Sequence, residues 1–124
     1  NRVFFVGHIP HRNIPTYLQI SDVFIRPSLS EGMGSSFVEA MAVGIPIIGT
    51  AVGGIPDFLT NDKTGFFCRV KDPEHIAQKI SYILDPRNKS HIENVKKEAL
   101  QGVLLNHDWY KNSQKMKQLF NQII

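Results

Sequence analysis

Two glutamates flank a glycine-rich turn, and this arrangement is the part of the sequence best suited to chemistry. Glu31 precedes Gly32-Met33-Gly34, and Glu39 follows with seven residues between the two acids. An apolar run ending at Arg26-Pro27 comes before the turn, and an amphipathic segment comes after it. A strand, a glycine turn and a helix start together present free backbone N–H groups at the positive end of a helix dipole. Such an arrangement binds anions such as phosphate.

The two carboxylates would repel a phosphate bound at this turn, so they need a different role. Backbone N–H groups suit a diphosphate, whereas a carboxylate only accepts hydrogen bonds and therefore suits a hydroxyl donor. The pattern predicts a phosphate site whose two acids hold the hydroxyl groups on either side of it.

The elements that position this turn alternate between short apolar runs and amphipathic segments, which is typical of an α/β protein with a parallel sheet. Continuous apolar runs favour strands buried on both faces. The predicted strands are Val3–Val6, Val23–Ile25, Pro46–Thr50 and Phe66–Val70. The first predicted helix is Ile14–Ile20, capped by Asn13, and the second begins after a cap at Ser35 or Ser36 and ends at Gly44. A third helix begins at Asp72-Pro73-Glu74 and ends at Asp85-Pro86. Two more helices are predicted from about Ser90 to the end of the chain, separated at Asn106-His107-Asp108.

Composition limits the remaining classes of protein. A length of 124 residues favours one domain, and the net charge of +3 is mildly basic. Much of that charge lies in the C-terminal third among Asn and Gln residues, which favours a solvated helix face over a nucleic-acid groove. The single cysteine, Cys68, excludes an internal disulfide and is expected in the core. No apolar run is long enough to span a bilayer and no signal peptide opens the chain, so we expect a cytoplasmic protein. The start at Asn1-Arg2, directly before an apolar run, suggests a piece of a longer protein.

From Glu31 to Pro46 the sequence resembles the Glu-x7-Glu motif of retaining GT-B glycosyltransferases of the family-4 type, the glycosyl transferases group 1. Gly53-Gly54-Ile55-Pro56-Asp57 and Asn61-Asp62-Lys63-Thr64-Gly65 resemble that family's next landmarks in order and spacing. Residues 72–85 resemble its next helix, and His107-Asp108-Trp109 resembles the start of its closing helix. The motif alone is a weak signal, but the landmarks together cover nearly the whole chain.

The resemblance implies a role for each residue of the turn. Glu31 would contact the donor sugar near the reacting centre as the catalytic residue, and Glu39 would accept hydrogen bonds from the ribose hydroxyls. Glu39, about one helical turn in, should lie roughly 6–8 Å from the helix N-terminus, which matches the separation of a phosphate from its ribose. Backbone groups of the turn would bind the donor sugar or the diphosphate; these belong to Gly32, Met33, Gly34 and Ser35. Backbone groups after the first strand, at Gly7 and His8, would lie near the base.

The resemblance also implies that residues 1–124 are a partial, Rossmann-like C-terminal nucleotide-sugar-binding domain with about four parallel strands. Two preceding strand–helix units, which supply basic residues for the pyrophosphate, and the acceptor-binding N-terminal domain are absent from this sequence. We therefore expect the isolated chain to be inactive and to self-associate through exposed sheet edges. In a sheet ordered 3-2-1-4-5-6, the strand at Val3–Val6 would be separated from that at Val23–Ile25. Asp57 stands where many relatives carry Glu and receives no role.

The function implied is transfer of a sugar from a nucleotide-diphosphate sugar to an acceptor hydroxyl with retained configuration. The acceptor is a glycan, a lipid or a protein, no nucleic acid takes part, and neither a metal nor another cofactor is implied. The alternative is a non-catalytic nucleotide-sugar-binding or scaffold module. An epimerase of the same fold fits less well, because it gives no reason for the Glu31/Glu39 pair. The sequence leaves the donor sugar, the base and the acceptor open.

Structural interpretations stand beside these functional ones. Glu31 could be an exposed loop acid and Glu39 a solvent-facing helix residue. His8 and His11 could be metal ligands, but loop polarity or base contact is favoured because no further ligands accompany them. For Arg26, an ion pair with Glu31 is favoured over a phosphate contact.

Residues of the C-terminal half also have structural interpretations. Trp109 and Tyr110 are expected to pack the last helix on the domain. His75, His91 and His107 are expected at the surface. The lysine-bearing C-terminal third fits either a solvated helix face or a peripheral contact with anionic lipid.

Overall fold

Three short parallel strands form the sheet of the computed structural model, which describes residues 2–123. The strands are β1 (Phe24–Arg26), β2 (Ile47–Thr50) and β3 (Phe66–Cys68), in the order β1-β2-β3. Ile25 pairs with Ile48, and Ile48 pairs with Phe66. The α/β class and the parallel sheet are confirmed. Two residues lie outside the described range: Asn1, the first residue of the sequence, and Ile124, the last residue of the predicted closing helix.

Five α-helices accompany the strands within residues 2–123, and their positions follow the predicted pattern closely. Gly44 ends the second helix in the left-handed conformation at φ 79°, as predicted. The bounds are α1 Ile14–Gln19, α2 Ser35–Val43, α3 Pro73–Leu84, α4 Lys89–Asn106 and α5 Trp109–Ile123, with short 3-10 turns at His11–Asn13, Ile55–Asp57 and Pro86–Asn88.

The core has two parts because neighbouring residues of β2 point to opposite faces of the sheet. Ile47 packs with residues of α2, including Phe37 and Met41, whereas Ile48 packs with Phe66 and with Ile83 of α3. Helix α4 contributes to both parts. Cys68 is buried in the second part, as predicted, and burial raises the pKa of its thiol. Helices therefore cover both faces of the sheet, as in doubly wound α/β proteins.

The first predicted strand, Val3–Val6, is wrong for this structure. These residues form no strand, and their side chains are exposed, with Phe5 97% accessible. A strand buried on both faces needs a paired neighbour, and within residues 2–123 β1 pairs only with β2. The N–H of Phe24 points towards β2 and donates to Pro46 O, just before that strand. Backbone groups alternate in direction along a strand, so those of Ile25 point away from β2, towards the outer edge of β1. The predicted self-association through sheet edges stays a prediction.

Three further expectations at helices need correction. Neither Ser35 nor Ser36 caps α2; the N-cap is Gly34, and no side chain caps the helix. Asn13 precedes α1 without a capping hydrogen bond. Trp109 is 85% exposed and Tyr110 is exposed too, because helix α5 buries no residue against the rest of residues 2–123.

The histidines of the C-terminal half are half-buried rather than at the surface. His75 Nδ1 accepts a hydrogen bond from the N–H of Arg69. His91 packs edge-on against Phe66, and His107 packs edge-on against Phe58. Aromatic packing therefore holds two of these imidazoles. Among the described residues, no helix has the length and hydropathy needed to cross a bilayer.

Candidate functional site

The turn between β1 and α2 lies at the carboxyl edge of the sheet, where the strands end at Arg26, Thr50 and Cys68. Gly34, the last residue of the turn, has φ 66°, a conformation that side-chain-bearing residues rarely adopt. A Cβ atom there would lie 2.7 Å from Ile55 Cδ1 and 2.9 Å from Phe37 Cδ2. The core packing beneath α2 therefore requires glycine at this position.

A second turn, residues 51–54 after β2, supports the first. The N–H of Gly54 donates to Gly32 O at 3.2 Å. Gly53 has φ 55°, and a Cβ atom there would lie 1.8 Å from Glu31 O. The two glycine turns are in backbone contact, so the Gly53-Gly54 pair positions the Glu31 turn rather than contributing side-chain chemistry.

The hydroxyl of Thr50 fixes the start of the first turn. This side chain is 1% exposed, and its oxygen accepts from the N–H of Ser28 at 3.0 Å while the hydroxyl donates to Ser28 O at 2.6 Å. Sequence reasoning missed Thr50. The available signal was a threonine at the end of a buried apolar strand, where a polar group needs a partner.

Glu31 is held by its neighbours through both carboxylate oxygens. Arg26 Nε lies 3.1 Å from Oε2 and Arg26 Nη2 donates to Oε1 at 3.4 Å, while Ser28 Oγ donates to Oε2 at 3.1 Å. The side chain is only 14% exposed, although it lies in a turn. Arg26 also donates to Ser36 Oγ at 2.6 Å. The favoured ion pair between Arg26 and Glu31 is confirmed, and it orients the carboxylate.

Glu39 lies one turn into α2 and is more accessible than Glu31. Its side chain is 35% exposed, and its Oε1 lies 3.2 Å from His11 Nε2. Within residues 2–123 its Oε2 makes no hydrogen bond. One carboxylate oxygen is therefore available to a ligand.

The backbone N–H groups of residues 32–36 donate no hydrogen bond within residues 2–123; Phe37 is the first residue of this stretch whose N–H does, to Gly34 O. These groups include all four backbone positions predicted to bind the donor: Gly32, Met33, Gly34 and Ser35. Open donors at a helix N-terminus form an anion site. The open N–H groups of residues 32–36 lie between the two glutamates and are a candidate anion site.

Gly7 and His8, the other predicted site residues, lie in the irregular segment before α1. Both are exposed, and no hydrogen bond joins them to either glutamate among the described residues. His11, three residues after His8, contacts Glu39 instead. The base-proximal role of Gly7 and His8 stays a prediction.

A cavity of about 580 Å³ opens beside the two turns. It is lined by Met33 and Gly54, by Asp57 of the 3-10 turn, and by the C-terminal end of α4 with His107. The exposed Met33 thus borders both the anion site and a concave surface. Among residues 2–123 no three His, Cys, Asp or Glu side chains could hold a metal ion together.

These features define a Rossmann-like α/β fold with open backbone N–H groups at the carboxyl edge of its sheet. The sequence profile of the family "Glycosyl transferases group 1" matches residues 1–101, and this chain belongs to that family. The predicted family is therefore confirmed.

Relatives and solved structures agree with this family. The chain is 38% identical over 84 residues to N-acetyl-alpha-D-glucosaminyl L-malate synthase of Bacillus anthracis, a match that covers 68% of this chain and 22% of that protein. It is 31% identical to sucrose-phosphate synthase of Thermosynechococcus elongatus, with a TM-score of 0.88 over 98% of this chain and 30% of that one. Anabaena HepE in complex with UDP-glucose shares the fold at a TM-score of 0.89 and 21% identity, covering 98% of this chain and 33% of HepE. The chain thus spans about a quarter to a third of these proteins.

Proposed function

We propose that this chain is the donor-binding part of a retaining glycosyltransferase that uses a nucleotide-diphosphate sugar. Its family membership and its likeness to parts of longer proteins support the interpretation of residues 1–124 as a partial C-terminal domain. HepE, which shares the fold, has a crystal structure in complex with UDP-glucose. The reaction would transfer the sugar to an acceptor hydroxyl with retained anomeric configuration.

One observation carries this proposal: the run of open N–H groups at residues 32–36 lies between two carboxylates. The N–H groups would bind the diphosphate, because they are donors at the positive end of α2. A second phosphate-binding contribution, from cations outside this chain, would be needed to neutralise the remaining charge.

Glu31 and Glu39 would hold the sugars on opposite sides of the diphosphate. The carboxylate of Glu31 is oriented by Arg26 and Ser28, so it can accept a hydroxyl of the donor sugar without first losing rotational freedom. Within residues 2–123, Oε2 of Glu39 makes no hydrogen bond and is available to the ribose. We expect the isolated chain to bind nucleotides weakly and to transfer no sugar.

The test is Glu31→Gln in the complete protein, with donor hydrolysis, transfer and nucleotide affinity measured together. We expect transfer and hydrolysis to fall by about 100-fold or more, the scale seen when one electrostatic contact to a transition state is removed. Nucleoside diphosphate affinity should change little, because Glu31 would contact the sugar. The matched control is Glu74→Gln, which changes an exposed acid in the first turn of α3.

The outcomes separate this proposal from its alternative. A non-catalytic nucleotide-sugar-binding module is favoured by one observation, the engagement of both Glu31 oxygens by Arg26 and Ser28. If the wild-type protein binds nucleotide sugars without hydrolysing or transferring them, the module is correct. If transfer occurs, the anomeric configuration of the product, read by NMR, tests retention.

A further inference from the structure

We propose that His11 is a positioning residue for the Glu39 carboxylate. The inference rests on the proposed ribose role of Glu39 and adds a residue that the family resemblance does not assign. It starts from one contact, the 3.2 Å approach of His11 Nε2 to Glu39 Oε1.

The two oxygens of the Glu39 carboxylate differ in their contacts within residues 2–123. An imidazole that carries its proton on Nε2 donates to Oε1, in either the neutral or the protonated ring. Oε2 accepts no hydrogen bond within residues 2–123 and remains available for a hydroxyl. His11 therefore fixes the carboxylate without occupying both of its acceptor atoms.

Fixing Glu39 matters because it is a long side chain on a partly exposed helix face. A free glutamate loses rotamer freedom when it binds a ligand, and a carboxylate that is already oriented loses less. Glu31 is oriented by Arg26 and Ser28, whereas Glu39 has His11 as its hydrogen-bond partner within residues 2–123. His11 thus orients the Glu39 carboxylate, as Arg26 and Ser28 orient that of Glu31.

The position of His11 is set by the packing of α1 on α2. His11 begins the 3-10 turn that leads into α1, and the N–H of Asn13 donates to Pro10 O at 2.8 Å within that turn. Leu18 of α1 is buried in the same core cluster as Ala40 of α2. A cavity of about 180 Å³ between the helices is lined by apolar side chains together with His11 and Glu39. The contact therefore depends on a packed helix pair as well as on two polar side chains.

The experiment measures nucleotide affinity of the complete protein by calorimetry. The probes are UDP, GDP and ADP, followed by the 2′,3′-dideoxy form of whichever binds most tightly. For His11→Ala we expect about 5-fold weaker binding of the ribonucleotide, the size of one ordinary hydrogen bond, and less than about 2-fold change for the dideoxy form. His11→Gln should restore most of the affinity, because its amide can donate to Glu39. Arg12→Ala, which removes an exposed cation next in the chain, is the matched control.

Glu39→Ala separates the failure of this inference from that of the proposed function. If Glu39→Ala leaves ribonucleotide affinity unchanged, the ribose role is wrong and the role of His11 is wrong with it. If Glu39→Ala weakens binding and His11→Ala does not, only the positioning role is wrong. Equal losses for ribo- and dideoxynucleotide would mean that His11 only supports the fold. Tighter binding in His11→Ala would mean that His11 competes with the ribose, which also contradicts the inference.

Discussion

Helices α2 and α3 both follow a strand at the same edge of the sheet, but they begin differently. Helix α3 is capped by Asp72, whose Oδ1 accepts from the N–H of His75 at 2.8 Å. Helix α2 begins after Gly34 and has no side-chain cap. A side-chain cap satisfies one of the terminal N–H groups of a helix, whereas an uncapped helix leaves that group for water or a ligand. The comparison indicates that α2 is the helix start available to bind an anion.

Packing explains why α2 lacks a cap. Any residue that could cap it from position 34 would place a Cβ atom against Ile55 and Phe37, which are buried beneath the helix. Asp72 meets no such constraint, because it lies at φ −123° in a half-buried loop. The core beneath the turn therefore excludes a capping side chain and keeps the N–H groups open.

The largest loss of stability should come from Gly53→Ala, which disrupts the backbone contact between the Gly53-Gly54 turn and the turn before α2. The new Cβ atom would lie 1.8 Å from Glu31 O, a backbone atom that moves only with the whole turn. We expect the free energy of unfolding to fall by about 3–4 kcal/mol, measured by urea denaturation of the complete protein.

Gly44→Ala is the control for Gly53→Ala. Gly44 also has positive φ, at 79°, but among residues 2–123, apart from its chain neighbours, no heavy atom lies within 4 Å of its added Cβ. It should lose only about 1 kcal/mol, from backbone strain. Equal losses for the two variants would show that the two glycine turns do not depend on each other.

Thr50→Val tests the anchor of the turn with a smaller expected loss. Valine has nearly the shape of threonine but removes the hydroxyl that bonds both the N–H and the C=O of Ser28. We expect about 1–3 kcal/mol lower stability, because partly buried backbone groups of Ser28 lose their partner. Thr50→Ser keeps the hydroxyl and should be closer to wild type when both variants are compared by urea denaturation. A valine variant as stable as the serine variant would contradict this role.

Ser35→Asp places a carboxylate in the first turn of α2, so it should change stability and binding in opposite directions. The negative charge favours the helix dipole, so stability should rise by about 0.3–1 kcal/mol. The same charge repels a diphosphate, so nucleotide affinity should fall by about 10-fold. Ser35→Asn, which is uncharged, is the control in thermal melting and calorimetry. Unchanged affinity in the aspartate variant would place the diphosphate elsewhere.

Asp72→Ala should give the smallest effect and should leave nucleotide binding unchanged. The N–H of His75 and then the Arg69 side chain hold the pKa of Asp72 below its usual value. Its contribution is therefore complete above about pH 4 and is lost as the pH falls through the depressed folded pKa. The melting temperatures of wild type and variant should differ near pH 6 and converge in acid. A difference that persists at the lowest pH would exclude the charged cap as its cause.

The sequence predicted the elements around the turn well, because they depend on local signals. The apolar runs, Gly44 after α2 and Asp72-Pro73 before α3 each act within a few residues. The Arg26–Glu31 pair was also predicted, since the two residues flank one turn. The functional roles of Glu31 and Glu39 stay predictions.

Features that depend on distant contacts could not be predicted in the same way. Val3–Val6 has strand-like residues but no neighbour to pair with, and Trp109 has no surface to pack against in the described chain. Thr50 and His11 act on residues 22 and 28 positions away in sequence. Their roles require knowing which elements become neighbours.

The central claim is that the uncapped start of α2 binds the diphosphate of the donor. Amide hydrogen exchange of the complete protein, with and without saturating UDP-glucose or the nucleotide diphosphate that binds best, tests it directly. We expect slower exchange at residues 32–36 on binding, with no change at residues 74–76 in the capped start of α3. Bound nucleotide with unchanged exchange at residues 32–36 would contradict the account.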